Sequence, residues 1–195
     1  MNSHHPILVK NTRRLWTKTL SEFEGKIILD LGCGRSKVSS SIGVDWSGQT
    51  DADVLCNLAH YPLPFQAFSA DLIVCSHIVE HLEDIPGFMK ELHRIGRDRS
   101  VVLIRTPHFT NASSWIDVTH RKHFSYRSFQ YLFERILIPQ GVYFRQTHIG
   151  LDYGGSVLQK LKQNICFIDL KFWEDNLAFI IPAKDLVFRL EILKS

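Results

Sequence analysis

The sequence predicts an α/β fold, a doubly wound and mostly parallel sheet with helices on both faces. Three observations lead there. Short apolar runs alternate with helical patterns through the first half of the chain, which is how a parallel sheet under crossover helices is written. The run Asp71–Ser76 (DLIVCS) is almost continuously apolar, as a strand buried on both faces requires. An earlier apolar run ends in Gly32-Cys33-Gly34, a turn that lets backbone approach a ligand at the carboxyl end of a strand.

Taken in order, residues 1–25 open with the polar stretch MNSHHPILVKNTRRLW, which holds no apolar signal segment. Lys26–Leu31 reads as the first strand, Ile42–Asp45 as the second, Ala52–Cys56 as the third and Asp71–Ser76 as the fourth. Ile85, Phe88, Met89, Leu92 and Ile95 recur at helical spacing and predict a helix with one buried stripe. Ser100–Thr106 is a fifth strand, stopped by Pro107. A polar and aromatic stretch follows, then a helix over Arg127–Ile136 and strands at Tyr143–Ile149 and Leu186–Leu193. Residues 150–184 show no pattern that assigns them.

The 195 residues suit a single domain. It divides into an N-terminal segment (1–25), a core (26–107) and a later half (108–195). Hydrophobic residues make up 45% and charged residues 22%, which excludes a disordered chain. A net charge of +3 falls short of a nucleic-acid-binding signature. Cys33, Cys56, Cys75 and Cys166 form no C-x-x-C pair, and three lie in or beside predicted strands, where free cysteine acts as a small apolar residue. That usage points to a reducing compartment, the cytoplasm. The late apolar run LAFIIPA is short and contains Pro182, so no membrane span is expected.

The informative block is ILDLGCGRS, Ile28–Ser36. Lys37 stands where a dinucleotide fingerprint needs a third glycine, and no phosphate-loop Gly-Lys-Ser/Thr follows. Asp45 at the tip of the second strand can accept both ribose hydroxyls of an adenosine ligand. Asn57 can offer an amide to an adenine edge, with Leu58 as an apolar face. A tight turn without a ligand is the plain alternative.

Read as a set, LDLGCG (29–34), GVD (43–45), NL (57–58), PLPF (62–65), DLI (71–73), HIVEH (77–81), ELHRI (91–95) and THRKHFSYRSF (119–129) resemble the class I methyltransferases that use S-adenosylmethionine. The resemblance covers roughly residues 26 to 133. It implies a Rossmann-like sheet of seven strands with the last antiparallel, and S-adenosylhomocysteine as product. It further implies that Asp30 and the Gly32-Cys33-Gly34 backbone hold the methionine part. Asp45 would bind ribose, Asn57 and Leu58 adenine, and Ser76 and His77 would line the pocket. Two departures stand out. Ser36 occupies the place of a third glycine, and only eleven positions separate Gly34 from Asp45, too few for the usual helix. A truncated helix there would open the methionine end unless the N-terminal segment covers it.

Ten histidines are present. HIVEH satisfies the H-x-x-E-H zinc-peptidase pattern, and on a helix His77 and His81 would share a face. The motif follows directly on a strand, however, and no third ligand on a partner helix stands out, so no metal is expected. A zinc hydrolase is therefore an alternative, as is a cofactor-binding module without catalysis. For His81 alone, a capping or core role is expected. The loop after the fifth strand gathers His108, Asp117, His120, Arg121, Lys122, His123, Tyr126 and Arg127. In the family this sequence resembles, that loop borders the transferable methyl group. His77 and His120 are the candidate general bases, although positioning alone can drive the transfer. The basic and aromatic loop favours a small anionic or aromatic acceptor over nucleic acid.

Overall fold

The structure, a computed structural model, describes residues 6–9, 11–134, 140–154 and 169–194. Its strands are β1 (Ile7–Val9), β2 (Ile28–Leu31), β3 (Ile42–Asp45), β4 (Val54–Leu55), β5 (Ala70–Ser76), β6 (Gly96–Pro107), β7 (Tyr143–Asp152) and β8 (Asp185–Leu193). Its helices are α1 (Thr12–Glu22), α2 (Ile85–Ile95), α3 (Ser113–Ile116), α4 (Ser128–Glu134) and α5 (Leu170–Asn176). The strands form one sheet in the order β1-β7-β8-β6-β5-β2-β3-β4. Only β8 runs against the rest, antiparallel to both β6 and β7.

The doubly wound, mostly parallel sheet is as expected, with eight strands instead of seven. The addition is β1, whose Ile7, Leu8 and Val9 pair in parallel with His148, Ile149 and Gly150. Three apolar residues carry no readable periodicity. What makes them a strand is the outer edge of β7, an open row of backbone donors and acceptors that they cover. At the opposite edge β4 keeps two residues of the predicted Ala52–Cys56, and Leu55 there is 63% exposed. The predicted helix over Arg127–Ile136 is α4, with positions 135–136 outside the described residues. Cys166 also lies outside them.

Alternation in β5 explains why its apolar character is continuous. Leu72 and Val74 point to one face, together with Ile28, Val101, Leu103 and Val187. Ile73 and Cys75 point to the other, into the larger cluster with Leu29, Leu31, Val102, Ile104, Phe188 and Leu190. The larger face is covered in part by α2, whose predicted stripe of Ile85, Phe88, Met89, Leu92 and Ile95 is buried throughout. Asp84 caps its first turn by accepting from the Gly87 amide at 2.8 Å.

The smaller face is covered by α1. Asn11 caps it through the Arg14 amide at 2.9 Å, and Leu15, Trp16 and Leu20 pack on the sheet with Phe23 and Val38. No helix separates β2 from β3; residues 32–41 are a chain of turns. The N-terminal helix thus supplies cover to a face from which the short β2–β3 connection contributes Val38 alone. Among the described residues, no helix is long and apolar enough to cross a membrane.

If α1 belongs to the cooperative unit, Leu15→Ala should lower unfolding stability by about 2–4 kcal/mol, as for other buried leucines. Urea denaturation measures this directly, and a loss below about 0.5 kcal/mol would show that the helix is only loosely docked.

Candidate active site

The chain leaves β2 for β3 on one side, while β5 flanks β2 on the other. This reversal is the topological switch point, where an open α/β sheet leaves a crevice beyond its strand ends. The glycine turn sits there. Gly32 has φ +73°, donates to the Val44 carbonyl at 2.7 Å, and lies so close to Ile78 that a Cβ would stand 2.9 Å from that side chain. Gly34 has φ +55°, and a Cβ there would meet nothing within 4 Å. The turn is therefore packed on one side and open on the other, a floor on which a ligand can rest.

Carboxylates hold this floor. Asp45 is 8% exposed; one oxygen accepts the Gly34 amide at 3.0 Å and the other the Ser47 amide at 3.1 Å. Asp30, 2% exposed, accepts the Val38 amide at 2.8 Å. Burial pushes the Asp30 carboxyl above its ordinary pKa, against the opposing pull of that hydrogen bond and of Lys37. Asp53 accepts from Gly43 at 2.7 Å and pairs with Lys37 at 2.9 Å. Cys33 is buried beside them; burial first, then Asp30 and Asp45, push its thiol up to about 11.

Asn57 is exposed and accepts the Ala59 amide at 3.0 Å. Leu58 is 5% exposed and belongs to the core cluster. Trp46, which directly follows Asp45, is 79% exposed. This indole at the tip of β3 was not singled out from the sequence, although GVDW spells it.

At the end of β5, Ser76 is half-buried and His77 has φ +55°. The His77 amide donates to the Arg105 carbonyl at 2.8 Å, and its Nδ1 lies 3.3 Å from Glu80 Oε1. HIVEH does not form the helix that a zinc-peptidase motif needs. It closes as a single 3₁₀ turn, Val79–His81, because the chain must leave a buried strand sharply at His77. His77 and His81 are consequently not paired on a helical face. What accompanies His81 is Glu80 and, from the distant loop, His120. His120 reaches the motif from a loop and not from a partner helix. The Arg121 and Lys122 amides donate to the Glu80 carbonyl at 2.7 and 3.1 Å, and this tether brings His120 over the turn.

The rest of the loop is largely structural. His108 is fully buried between Thr110 Oγ1 at 2.7 Å and Glu174 Oε1 at 3.2 Å. Glu174 also accepts from the Ser125 hydroxyl at 2.9 Å and the Tyr126 amide at 3.0 Å, and pairs with Arg127 at 3.5 Å. One carboxylate of α5 thereby fastens both ends of the loop, a role that no pattern in residues 150–184 disclosed. Asp117 binds Thr119, while His123 stacks on the exposed Trp115 with ring centroids 3.6 Å apart. Arg121, Lys122 and His123 stand exposed on the rim.

The same architecture occurs in known structures. The chain is similar to an S-adenosylmethionine-dependent methyltransferase from Archaeoglobus fulgidus, at TM-score 0.63 and 21% identity over 92% of both chains. It is similar to the YcgJ protein of Bacillus subtilis at TM-score 0.58 and 16% identity, over 95% of this chain and all (100%) of that one. Phosphoethanolamine N-methyltransferase 2 of Haemonchus contortus, solved with phosphomonomethylethanolamine and S-adenosylhomocysteine, gives TM-score 0.56 and 13% identity over 92% of this chain and 53% of that one. No curated protein matches the sequence. The family model described as a methyltransferase domain matches residues 4–136, more than half of the chain, so the chain belongs to that methyltransferase family.

Because Asp45 satisfies two backbone amides, Asp45→Ala should cost about 1–3 kcal/mol of unfolding stability. Asp45→Asn, which keeps one acceptor oxygen, should fall between. Urea midpoints for the three proteins decide it; an alanine variant as stable as the parent would mean the glycine turn holds itself.

Proposed function

We propose that the protein transfers a methyl group from S-adenosylmethionine to a small anionic or aromatic acceptor. The observation that carries this reading is the turn at the switch point, open beside Gly34 and braced from below by the buried Asp45. In this reading the Gly32-Cys33-Gly34 backbone receives the methionine part, next to Asp30. Each Asp45 oxygen retains a lone pair beyond its amide bond, which suits the ribose hydroxyls. Asn57 serves the adenine edge, above Leu58, and the exposed Trp46 offers it a flat face. Ser76 and His77 form the wall toward the acceptor. When bound, S-adenosylmethionine supplies a methyl group made electrophilic by a positively charged sulfur.

The residues of this chain then have two tasks, holding the acceptor in line and taking up its proton. Arg121, Lys122, His123 and Trp115 give the rim a basic and aromatic character, which suits a small anion. The Haemonchus enzyme, a neighbour in fold, holds a small phosphorylated amine. His77 has the placing of a base: its side chain is 44% exposed and the Glu80 carboxylate stands 3.3 Å behind its Nδ1. His120 is the second candidate on the same side. We assign the whole chain to one domain. The free Cys33, Cys56 and Cys75 suit a reducing compartment, and we place the protein in the cytoplasm.

Calorimetric titration tests the cofactor. S-adenosylhomocysteine should bind and NAD should bind far more weakly or not at all; equal affinities would refute the assignment. Trp46→Ala should weaken S-adenosylhomocysteine roughly 5- to 100-fold if the indole stacks on adenine. With an acceptor found by screening methyl transfer to metabolite pools, His77→Ala should lower kcat by about 10²- to 10⁴-fold while the cofactor Kd changes little. Unaltered kcat would leave positioning as the whole mechanism.

A further inference from the structure

Three side chains outside the cofactor floor converge where the 3₁₀ turn meets the loop after β6. One ligand-capable atom each of Glu80, His81 and His120 lies within 4.8 Å of the others. The two rings meet edge to face, with centroids 4.7 Å apart. An ion held at about 2.0–2.2 Å by nitrogen and carboxylate oxygen draws its ligands to roughly 3.3–3.6 Å of one another in tetrahedral geometry, so the cluster needs only a modest contraction.

Two further observations point to a ligand. Glu80 is 1% exposed; its Oε2 accepts from Thr106 Oγ1 at 3.0 Å, but its Oε1 is buried without a hydrogen-bond partner. His77 Nδ1 approaches that oxygen at 3.3 Å, outside hydrogen-bond alignment. An orphaned buried carboxylate oxygen is costly and calls for a cation. The second observation is the tautomers. His120 Nδ1 lies 3.1 Å from the Ser114 carbonyl, which can only accept, so this nitrogen carries the proton. Thr119 Oγ1 donates to Asp117 Oδ1 at 2.7 Å and therefore accepts from His81 Nδ1 at 2.9 Å. Both rings are left with a lone pair on Nε2. A carbonyl behind one imidazole and a carboxylate-backed hydroxyl behind the other are the outer partners that ligating histidines have.

We propose that Glu80, His81 and His120 bind one divalent transition-metal cation at the acceptor side of the active site. Two imidazoles and one carboxylate suit Zn²⁺, Mn²⁺ or Fe²⁺ better than Mg²⁺, which prefers oxygen alone. Three protein ligands leave coordination positions open. Resting on the methyl-transfer reading, the ligand class that fills them is an acceptor bearing a hydroxyl or carboxylate oxygen. The site itself does not depend on that reading. It also differs from the inverted zinc-peptidase pattern, since His77 is not a ligand and the third comes from a loop 39 positions beyond His81.

The test uses the full, tag-free chain, stripped with a chelator and titrated separately with ZnCl₂, MnCl₂ and MgCl₂. Zinc or manganese should bind at about one ion per chain, at least tenfold tighter than magnesium. His81→Ala and His120→Ala, both at partly exposed positions, should each weaken binding roughly 100-fold or more, with thermal unfolding showing that the variants fold. His4→Ala/His5→Ala is the control for the histidine pair near the N-terminus and should leave binding intact. Absence of binding, binding undiminished in either cluster variant, or binding lost with His4 and His5 overturns the site. S-adenosylhomocysteine titration of the same metal-free protein separates the two readings. Metal without cofactor binding keeps the cation site and removes methyl transfer; cofactor without metal binding does the reverse.

Discussion

The connection between β2 and β3 is the constraint to which much of the structure responds. No helix fits there, so the loop cannot be held by packing an apolar stripe on the sheet. It is held by charge instead: the Asp30 and Asp45 carboxylates take the Val38 and Gly34 amides, while Asp53 takes the Gly43 amide and pairs with Lys37. A hydrogen bond from a backbone amide to a carboxylate is stronger than one between neutral groups. The sheet face left short of cover is closed from elsewhere, by α1. Part of the N-terminal segment thereby joins the core, through Leu15, Trp16 and Leu20.

A consequence is that acids in the active-site region have structural duties before they have ligand duties. Asp45 braces the glycine turn. Glu174 fastens the loop after β6 through His108, Ser125 and Tyr126. Glu80 binds Thr106 through its side chain and the Arg121 and Lys122 amides through its carbonyl. In each case one residue couples two segments far apart in sequence, so local stability and site geometry are linked. Substitutions at these positions will move both, and comparing stability with binding is the way to apportion them.

Part of the fold was legible because its signal is local. The continuous apolar run of β5 and the stripe of α2 reflect burial by neighbours that any parallel sheet supplies, and both occur where expected. The glycine turn was legible for a similar reason, since a positive φ at Gly32 and Gly34 restricts which residues can stand there. The short helix-free connection could be counted from Gly34 to Asp45. By contrast, β1 has no period of its own and exists through pairing with β7. Residues 170–176 form α5 around the buried Trp173, yet Glu174 acquires its role only from the loop folded over it.

The sequence by itself determined the central strands of the sheet and the glycine turn after β2, because strand burial and backbone handedness act over a few neighbouring residues. Tertiary structure decided which histidines meet. From the letters, His77 and His81 looked paired by their spacing, but a sharp exit from β5 turns HIVEH into a single 3₁₀ turn and separates their roles. His120 reaches Glu80 and His81 from a loop pinned by two amides on the Glu80 carbonyl. Backbone hydrogen bonds to a carbonyl are available to nearly any residue type, so such a tether leaves no mark in the sequence.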